Sequence, residues 1–184
     1  MRSQIRTLIE NIIPVDALEA EHQSQVLGWI DSGAGLFRVE KPATPSPHLV
    51  SYFVVFDAQA NQILLVDHKK AQLWLPSGGH VEPDEHPKIT AEREALEELN
   101  LKANFLFEKP IFVTVTETVG LTAGHIDVSL WYVLKHNSAD PLNFDEDEFN
   151  QIKWFDLDKI PFEKAEPHLK RFIKKLTYAK ISAS

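Results

Sequence analysis

The 184-residue chain contains no cysteine. Disulfide bonds, thiolate metal sites and cysteine nucleophiles are therefore excluded, and the absence suits a reducing compartment. No uncharged apolar run approaches the ~20 residues that cross a bilayer. Residues 1–13 show neither a long apolar stretch nor the small-residue cleavage site of a signal peptide. We therefore expect a cytoplasmic protein without a membrane partner.

Positive charge is also scarce, with 19 Lys and Arg against 27 Asp and Glu and a formal net charge of -8. A negative field repels polyanions, so we expect no stable nucleic-acid partner. A small phosphorylated substrate would need a cation to neutralise its approach. The hydrophobic content of 43% is close to the average of globular proteins, and the length suits one domain with a short additional segment.

The first segment of the chain has a helical pattern. Apolar residues recur at three- and four-residue spacing before and after Pro14, which predicts two helices, or one broken helix, between Arg2 and Asp31. Asp16, followed three residues later by Glu19, is typical of a helix start, and Gly33 of a helix end.

Two prolines in residues 43–48 then predict an extended linker. We place the domain boundary there, between a helical extension at 1–45 and the main domain at 46–184. We expect the extension to pack on the core or to build a homodimer face. These roles are favoured over recognition of a partner or capping of the substrate.

The main domain alternates apolar, β-branched runs with turn residues, which predicts strands. The first two runs are close enough to form a hairpin. The predicted strands are Val50–Asp57, Gln62–Asp67, Ala103–Thr118, Ile126–Lys135 and Ile152–Phe155. An amphipathic helix is predicted at Lys164–Ala179. Together with a helix at His86–Leu99, these runs indicate an α/β fold with a mixed sheet.

The helix at His86–Leu99 carries Glu94, Glu97 and Glu98 at positions i, i+3 and i+4, which places the three carboxylates on one face. Like charges at this spacing repel, and a bound cation would relieve the repulsion, although three such carboxylates alone can also form a solvated helix face. Hard divalent ions such as Mg²⁺ or Mn²⁺ prefer oxygen ligands. The spacing therefore indicates a metal site.

Residues just before this helix complete a wider pattern. Ser77 to His80 include two glycines and are predicted to form a tight loop whose backbone approaches a ligand closely. Arg93 is placed to form a bidentate pair with a carboxylate, for which Glu85 is the candidate, and so to hold the loop against the helix.

Residues 79–101 resemble the Nudix box. The family pattern is Gly, five residues, Glu, seven residues, Arg-Glu, an apolar residue, any residue, Glu-Glu, any residue, Gly and an apolar residue. This chain matches every position except the last glycine, which is Asn100. Because Asn tolerates the left-handed conformation of a helix cap, the departure is conservative. A match of this many charged positions at fixed spacing is specific, and the resemblance covers roughly residues 48–178.

The resemblance implies a Nudix-like α/β/α sandwich, with the N-terminal helices outside it. It also implies roles for particular residues. Glu97 and Glu98 would be metal ligands, Glu94 a further ligand or the base, and the carbonyl of Gly79 part of the metal shell, while Glu85 pairs with Arg93. In many members an acidic residue ahead of a Trp-containing strand is the base or a ligand. Glu148 is the candidate here, with Asp145, Glu146 and Asp147 as neighbours.

Other residues are candidates for substrate binding on weaker grounds. His125 and Asp127 alternate at the start of a predicted strand, so they share a face that meets either the site or water. His80 follows the box glycine and contacts either phosphate or solvent. Trp74, Phe112 and Trp131 can stack on a base, although aromatic residues on strands are more often in the core.

The resemblance implies metal-dependent hydrolysis of a phosphoanhydride in a nucleoside diphosphate linked to a further group. Nucleoside triphosphates are weakly favoured over ADP-ribose, nucleotide sugars and dinucleotides, because the spacing to Glu148 is similar to that in the nucleotide-sanitising branch. The alternative is a non-catalytic nucleotide or metabolite sensor, which the intact carboxylates disfavour. Isoprenoid diphosphate isomerases share the family fold but use a catalytic cysteine, which this chain lacks. RNA decapping requires a basic surface to hold the RNA, which the net charge of -8 disfavours.

Overall fold

The computed structural model describes residues 1–40, 44–119, 121 and 123–183, with only the backbone of 180–183. Four helices and seven strands make up the described fold. In chain order they are α1 (Arg2–Glu10), α2 (Ala17–Asp31), β1 (His48–Asp57), β2 (Gln62–His68), β3 (Leu73–Leu75), β4 (Ser77–His80), α3 (Pro87–Leu99), β5 (Phe112–Glu117), β6 (Ile126–Lys135), β7 (Phe149–Asp156) and α4 (Leu169–Ala183).

The seven strands form one mixed sheet, in which five strands follow the order β3-β2-β1-β6-β5 and the other two, β4 and β7, pair with β1 and β2. Strand β1 is central: it runs parallel to β6, and it pairs antiparallel with β2 through its second half and with β4 through its first half. Strand β7 pairs antiparallel with β2. The short strand β4 is therefore held beside the beginning of β1, and this arrangement determines where the box residues lie.

Two apolar clusters cover the two faces of the sheet. Alternate residues of a strand point to opposite faces, and β1 divides in this way: Phe53 and Val55 pack in one cluster with α1, α2 and α3, whereas Val54 and Phe56 pack in the other with α4. Helices on both faces of a mixed sheet make an α/β/α sandwich, as predicted. None of the described helices is long and apolar enough to cross a membrane.

The N-terminal helices are part of this core. Ile5, Ile9 and Ile30 are fully or almost fully buried in the same cluster as the apolar face of α3. Asp16 caps α2 by accepting a hydrogen bond from the backbone nitrogen of Glu19, as the sequence predicted. The extension at 1–45 thus packs against the sheet, although its division from 46–184 as a separate domain stays a proposal.

Polar contacts also join α2 to α4. Arg171 binds both carboxylate oxygens of Asp16 at 2.6 and 2.8 Å. One turn further along each helix, the ammonium of Lys175 binds the carboxylate of Glu19, and both side chains are buried. The beginning and the end of the chain are therefore tied together.

The strand predictions were partly wrong. Residues 77–80 form strand β4 rather than a tight loop, because their backbone pairs with β1. The predicted strand at 103–118 is a strand only from Phe112, and residues 103–111 are irregular apart from an isolated bridge at Phe105. Strand β7 begins three residues earlier than predicted.

The final helix begins at Leu169 rather than Lys164, after a short 3₁₀ turn at Phe162–Lys164. Of the predicted linker, residue 43 lies outside the described residues, and His48 already belongs to β1.

Candidate active site

Helix α3 positions the three carboxylates. It begins where the side chain of His86 accepts a hydrogen bond from the backbone nitrogen of Lys88, and Pro87 occupies the first turn. It ends at Asn100, whose left-handed φ of 48° and ψ of 35° confirm the predicted cap. Its buried residues Ala91, Ala95 and Leu99 pack on the sheet, and the neighbouring face of the helix approaches β4.

Glu98 is the most buried of the three, with 6% of its surface exposed. One of its carboxylate oxygens accepts hydrogen bonds from the Ser77 hydroxyl and, at 3.0 Å, from the Gly78 backbone nitrogen. Burial is the main cause that raises the pKa of Glu98 to about 8, and the charges of Glu94 and Glu148 act in the same direction. A cation beside this group would remove the conflict between its burial and its charge.

Two glycines of β4 permit this approach. A Cβ at Gly78, where φ is +150°, would stand 2.2 Å from the carbonyl oxygen of Ser51 in β1. A Cβ at Gly79 would collide with the carboxylate of Glu94, which is thus held against the β4 backbone. Burial is the main cause that raises the pKa of Glu94 above its usual value. Glu97 lies further out, with 59% of its side chain exposed.

Arg93 connects the carboxylates to the chain before the helix. Its guanidinium binds Glu85 in a bidentate pair, with both N–O distances 3.1 Å, which is the contact expected from the sequence. A third nitrogen of the same guanidinium lies 2.6 Å from Glu94 and 3.2 Å from Glu97. Arg93 therefore neutralises part of the acidic cluster, while Glu85 holds two of the three guanidinium nitrogens.

The acidic loop before β7 brings Glu148 to the same place. The loop is anchored to α3 by a 2.8 Å hydrogen bond from the backbone nitrogen of Asp145 to the carbonyl of Glu98. It is anchored to the end of β2 by the Lys69 side chain, which binds the carbonyl of Glu146. The charge of Glu148 raises the pKa of both Glu94 and Glu98, so it lies within electrostatic reach of both.

A cavity of about 840 Å³ opens at this end of the sheet. Its wall includes Gly79, Glu94, Glu98 and Glu148, so carboxylates from α3 and from the acidic loop face one space. Two of these carboxylates are desolvated, and their oxygens suit a hard divalent cation. The residues that are present therefore fit a Mg²⁺ or Mn²⁺ ion.

A second polar group lines the same cavity. His80, His125 and Asp127, all singled out in the sequence, lie together with His48, and one ligand atom of each is within 4.8 Å of those of the other three. We refer to these four residues as the histidine cluster. His48 carries no signal in the sequence, where it falls in the predicted linker. Arg38 carries none either, and its guanidinium lies 3.2 Å from Nε2 of His80.

Glu166 is another cavity residue that the sequence did not reveal. It is 4% exposed and precedes α4, where its carboxylate accepts a 2.6 Å hydrogen bond from the backbone nitrogen of His168. Burial raises its pKa to about 8. In the sequence Glu166 is one acid among several near Pro167, so no spacing marks it.

The three candidate stacking residues do not line the cavity. Phe112 and Trp131 are fully buried in the cluster beneath α4, so for these two residues the core alternative is correct. Trp74 packs edge-on against Phe155, with ring centroids 5.0 Å apart, while its neighbours Leu73 and Leu75 form part of the cavity wall.

Comparisons with known proteins identify the family and the fold. A family model described as NUDIX domain matches residues 47–176. Among solved structures, the chain is similar to the MutT protein from Methanosarcina mazei, with 17% identity, a TM-score of 0.57 and coverage of 72% of this chain and 94% of that one. It is also similar to the Ap4A hydrolase from C. elegans, with 20% identity, a TM-score of 0.57 and coverage of 71% and 96%. At these identities the structural likeness concerns the fold.

Proposed function

This chain belongs to the Nudix family of pyrophosphohydrolases, and from that premise we propose that it hydrolyses the phosphoanhydride of a nucleoside diphosphate linked to a further group, using Mg²⁺ or Mn²⁺. The observation that carries the proposal is the desolvation of Glu94, which lies against Gly79, and of Glu98, which binds the backbone nitrogen of Gly78. Carboxylates buried at such close range are costly without a cation.

Glu94, Glu97, Glu98 and the carbonyl of Gly79 would hold the metal. When bound, a divalent ion supplies neutralisation of the phosphate oxygens and a lowered pKa for the attacking water. Arg93 positions the ligands, because its pair with Glu85 fixes the guanidinium between the helix and the preceding segment.

The reaction requires a group that accepts the proton of water while oxygen attacks phosphorus and the anhydride P–O bond breaks. Glu148 is our candidate, since it reaches the cavity from a separate loop and does not share the crowded surface of α3. Glu94 is the second candidate. The products are two phosphorylated fragments, typically a nucleoside monophosphate and the remainder.

For the substrate we favour nucleoside triphosphates over ADP-ribose and nucleotide sugars. The cavity is in the size range of small-molecule sites, ~300–1,000 Å³, and the arrival of Glu148 from the loop before β7 supports the assignment. A phosphate chain would meet Arg38 as well as a metal held by the carboxylates, because Arg38, Glu94 and Glu98 line the same cavity.

The test is an assay of phosphate and pyrophosphate release from nucleoside triphosphates, oxidised nucleotides, ADP-ribose, nucleotide sugars and dinucleotides. Glu97→Gln is compared with Glu92→Gln, since both residues are exposed on α3 and only Glu97 belongs to the proposed ligand set. We expect turnover in the wild type and in Glu92→Gln, and a loss of at least ~100-fold in Glu97→Gln. No turnover of any substrate, with a nucleotide still raising the melting temperature, would instead establish the sensor alternative.

A further inference from the structure

The histidine cluster combines three imidazoles and one carboxylate. Such a donor set differs from the box carboxylates, because imidazole nitrogen suits Zn²⁺ and similar transition metals, whereas carboxylate oxygen suits Mg²⁺ and Mn²⁺. We infer that His48, His80, His125 and Asp127 form a second metal site, selective for Zn²⁺ over Mg²⁺ and Mn²⁺ and separate from the site on α3.

Sheet register explains why the four residues meet. His48 and Asp127 are direct partners on the parallel strands β1 and β6. His80 at the end of β4 is the partner of Val50, two residues after His48, and therefore projects from the same face. His125 is two residues before Asp127, and its Nε2 lies 3.3 Å from the Asp127 carboxylate.

Two polar atoms at the centre of the cluster, Nε2 of His48 and Oδ1 of Asp127, make no hydrogen bond with any residue that the structure describes. His48 is fully buried, and its Nε2 lies 3.2 Å from Oδ1 of Asp127. Buried polar atoms without partners are rare and costly. Donor atoms around a metal have this relationship, because they are near neighbours that are each directed at the ion.

The outer contacts of the imidazoles fit metal ligation. Nδ1 of His48 lies 2.6 Å from the carbonyl oxygen of Pro45, which only accepts, so Nδ1 carries a proton and, in the neutral imidazole, the lone pair is on Nε2. Nδ1 of His125 lies 3.2 Å from the hydroxyl of Thr118. Metal-binding histidines usually have such a partner on the ring nitrogen remote from the metal.

The distances also suit a tetrahedral ion. Bonds of about 2.0–2.1 Å place neighbouring ligand atoms of a tetrahedron ~3.3 Å apart. The two contacts of Asp127 are 3.2 and 3.3 Å, and no ligand atom needs to move by more than about an ångström to close the set. Arg38 must release Nε2 of His80 if that nitrogen is the ligand, and the open cavity beside it leaves room for the guanidinium to turn.

The site is distinct from the carboxylates of α3. The Cβ direction of Gly79 points at Glu94, so the side chain of the next residue, His80, points to the opposite face of β4. With four protein ligands the ion would be closed to further ligands, as structural zinc is. It would join β1, β4 and β6 at the rim of the cavity and stabilise the folded state by mass action.

The first test uses purified full-length protein freed of metal with a chelator and then titrated with Co²⁺ and Zn²⁺. We expect stoichiometric Co²⁺ binding with the intense visible absorption of a tetrahedral ion, displaced by Zn²⁺, and a Zn²⁺-induced rise in melting temperature. In ¹⁵N spectra of the imidazoles, three of the eight histidines should shift. The weak absorption of an octahedral oxygen site alone, without imidazole shifts, overturns the inference.

Variants identify the ligands. His125→Asn and Asp127→Asn should weaken Zn²⁺ binding by ~100-fold or more, whereas His86→Asn, which keeps an acceptor at the start of α3, should bind as the wild type. Glu97→Gln should keep the tetrahedral Co²⁺ signal while losing activity, so failure of this site and failure of the proposed function are separable. Tetrahedral absorption that persists in both cluster variants overturns the assignment. The wild-type imidazole shifts decide the matter if either variant fails to fold.

Discussion

A Cβ on Gly79 would stand 2.0 Å from Oε1 of Glu94, so the absence of a side chain at one residue determines the position of the carboxylate at the other. Gly79→Ala should therefore displace Glu94 and reduce kcat by at least ~10-fold, because misplacement of a catalytic group by about an ångström is costly. A Mg²⁺-dependent rate assay measures the loss of activity, and far-UV circular dichroism checks that the secondary structure is unchanged.

Gly28→Ala is the matched control for that experiment. Gly28 lies inside α2, and a Cβ there meets nothing within 4 Å. Alanine in a helix interior is more stable than glycine by ~0.5–1 kcal/mol, so this variant should be as active as the wild type and slightly more stable. Equal rates in Gly79→Ala and the wild type would disprove the steric argument.

Glu85→Gln should weaken metal activation more than it weakens substrate binding. The substitution removes the charge that holds two nitrogens of Arg93, and the freed guanidinium can bind more closely to Glu94 and Glu97, which it already contacts. We expect the Mg²⁺ concentration for half-maximal rate to rise by ~10-fold, as for loss of a contact that orients a ligand. An unchanged Mg²⁺ requirement would show that Arg93 does not compete for the ligands.

His168 should make the protein sensitive to mild acid. Burial first, and then the adjacent Arg171, lower the pKa of His168 from its ordinary 6.5 to about 4. Arg171 donates a 3.0 Å hydrogen bond to Nδ1, which protonation would abolish. Because the folded-state pKa lies below the unfolded value, the stabilisation is complete above pH 6.5 and is lost as the pH falls from 6.5 towards 4.

Between pH 7.5 and pH 5 the free energy of unfolding should fall by about 1–3 kcal/mol, since one pKa unit corresponds to ~1.4 kcal/mol. Urea unfolding at the two pH values measures this difference. In His168→Asn, which keeps an acceptor for Arg171 without a titrating group, the difference between the two pH values should shrink. His22, whose pKa is lowered by burial and whose ring lies 5.2 Å from that of His168, adds to the same dependence.

The buried pair of Glu19 and Lys175 should show strong non-additivity. Burial raises the pKa of Glu19 and lowers that of Lys175, so desolvation outweighs their mutual attraction. Lys175→Met alone leaves a buried carboxylate unpaired and should cost ~3–5 kcal/mol. Adding Glu19→Gln, which keeps an acceptor for the Val15 nitrogen, should restore most of that loss. Denaturant unfolding of the four proteins in the cycle measures the coupling, and additive effects would contradict it.

The sequence predicted the elements whose signals are local. The hairpin of β1 and β2 follows from two β-branched runs and a short turn, and α3 follows from a proline start, an Asn cap and its charged face. The contact between Arg93 and Glu85 could also be expected, because the helix fixes the spacing of one partner. These features depend on residues close to one another in the chain.

Features that depend on pairing between distant segments could not be predicted. Residues 77–80 have the composition of a turn, and only the neighbouring β1 makes them a strand. His48 joins the histidine cluster because β1 lies beside β6, with 79 positions between the register partners His48 and Asp127. The burial of Glu166 likewise depends on how α4 packs under the sheet.

The contacts of Asp16 with Arg171 and of Glu19 with Lys175 span 155 and 156 residues. During synthesis, α2 leaves the ribosome long before α4 exists, and until then Glu19 has no buried ammonium to meet. Long-range contacts form only after the intervening chain is available. The last step of folding therefore waits for the final helix, and a ribosome stalled before residue 171 would carry a nascent chain in which Asp16 and Glu19 lack their partners and the sheet face that α4 covers is exposed.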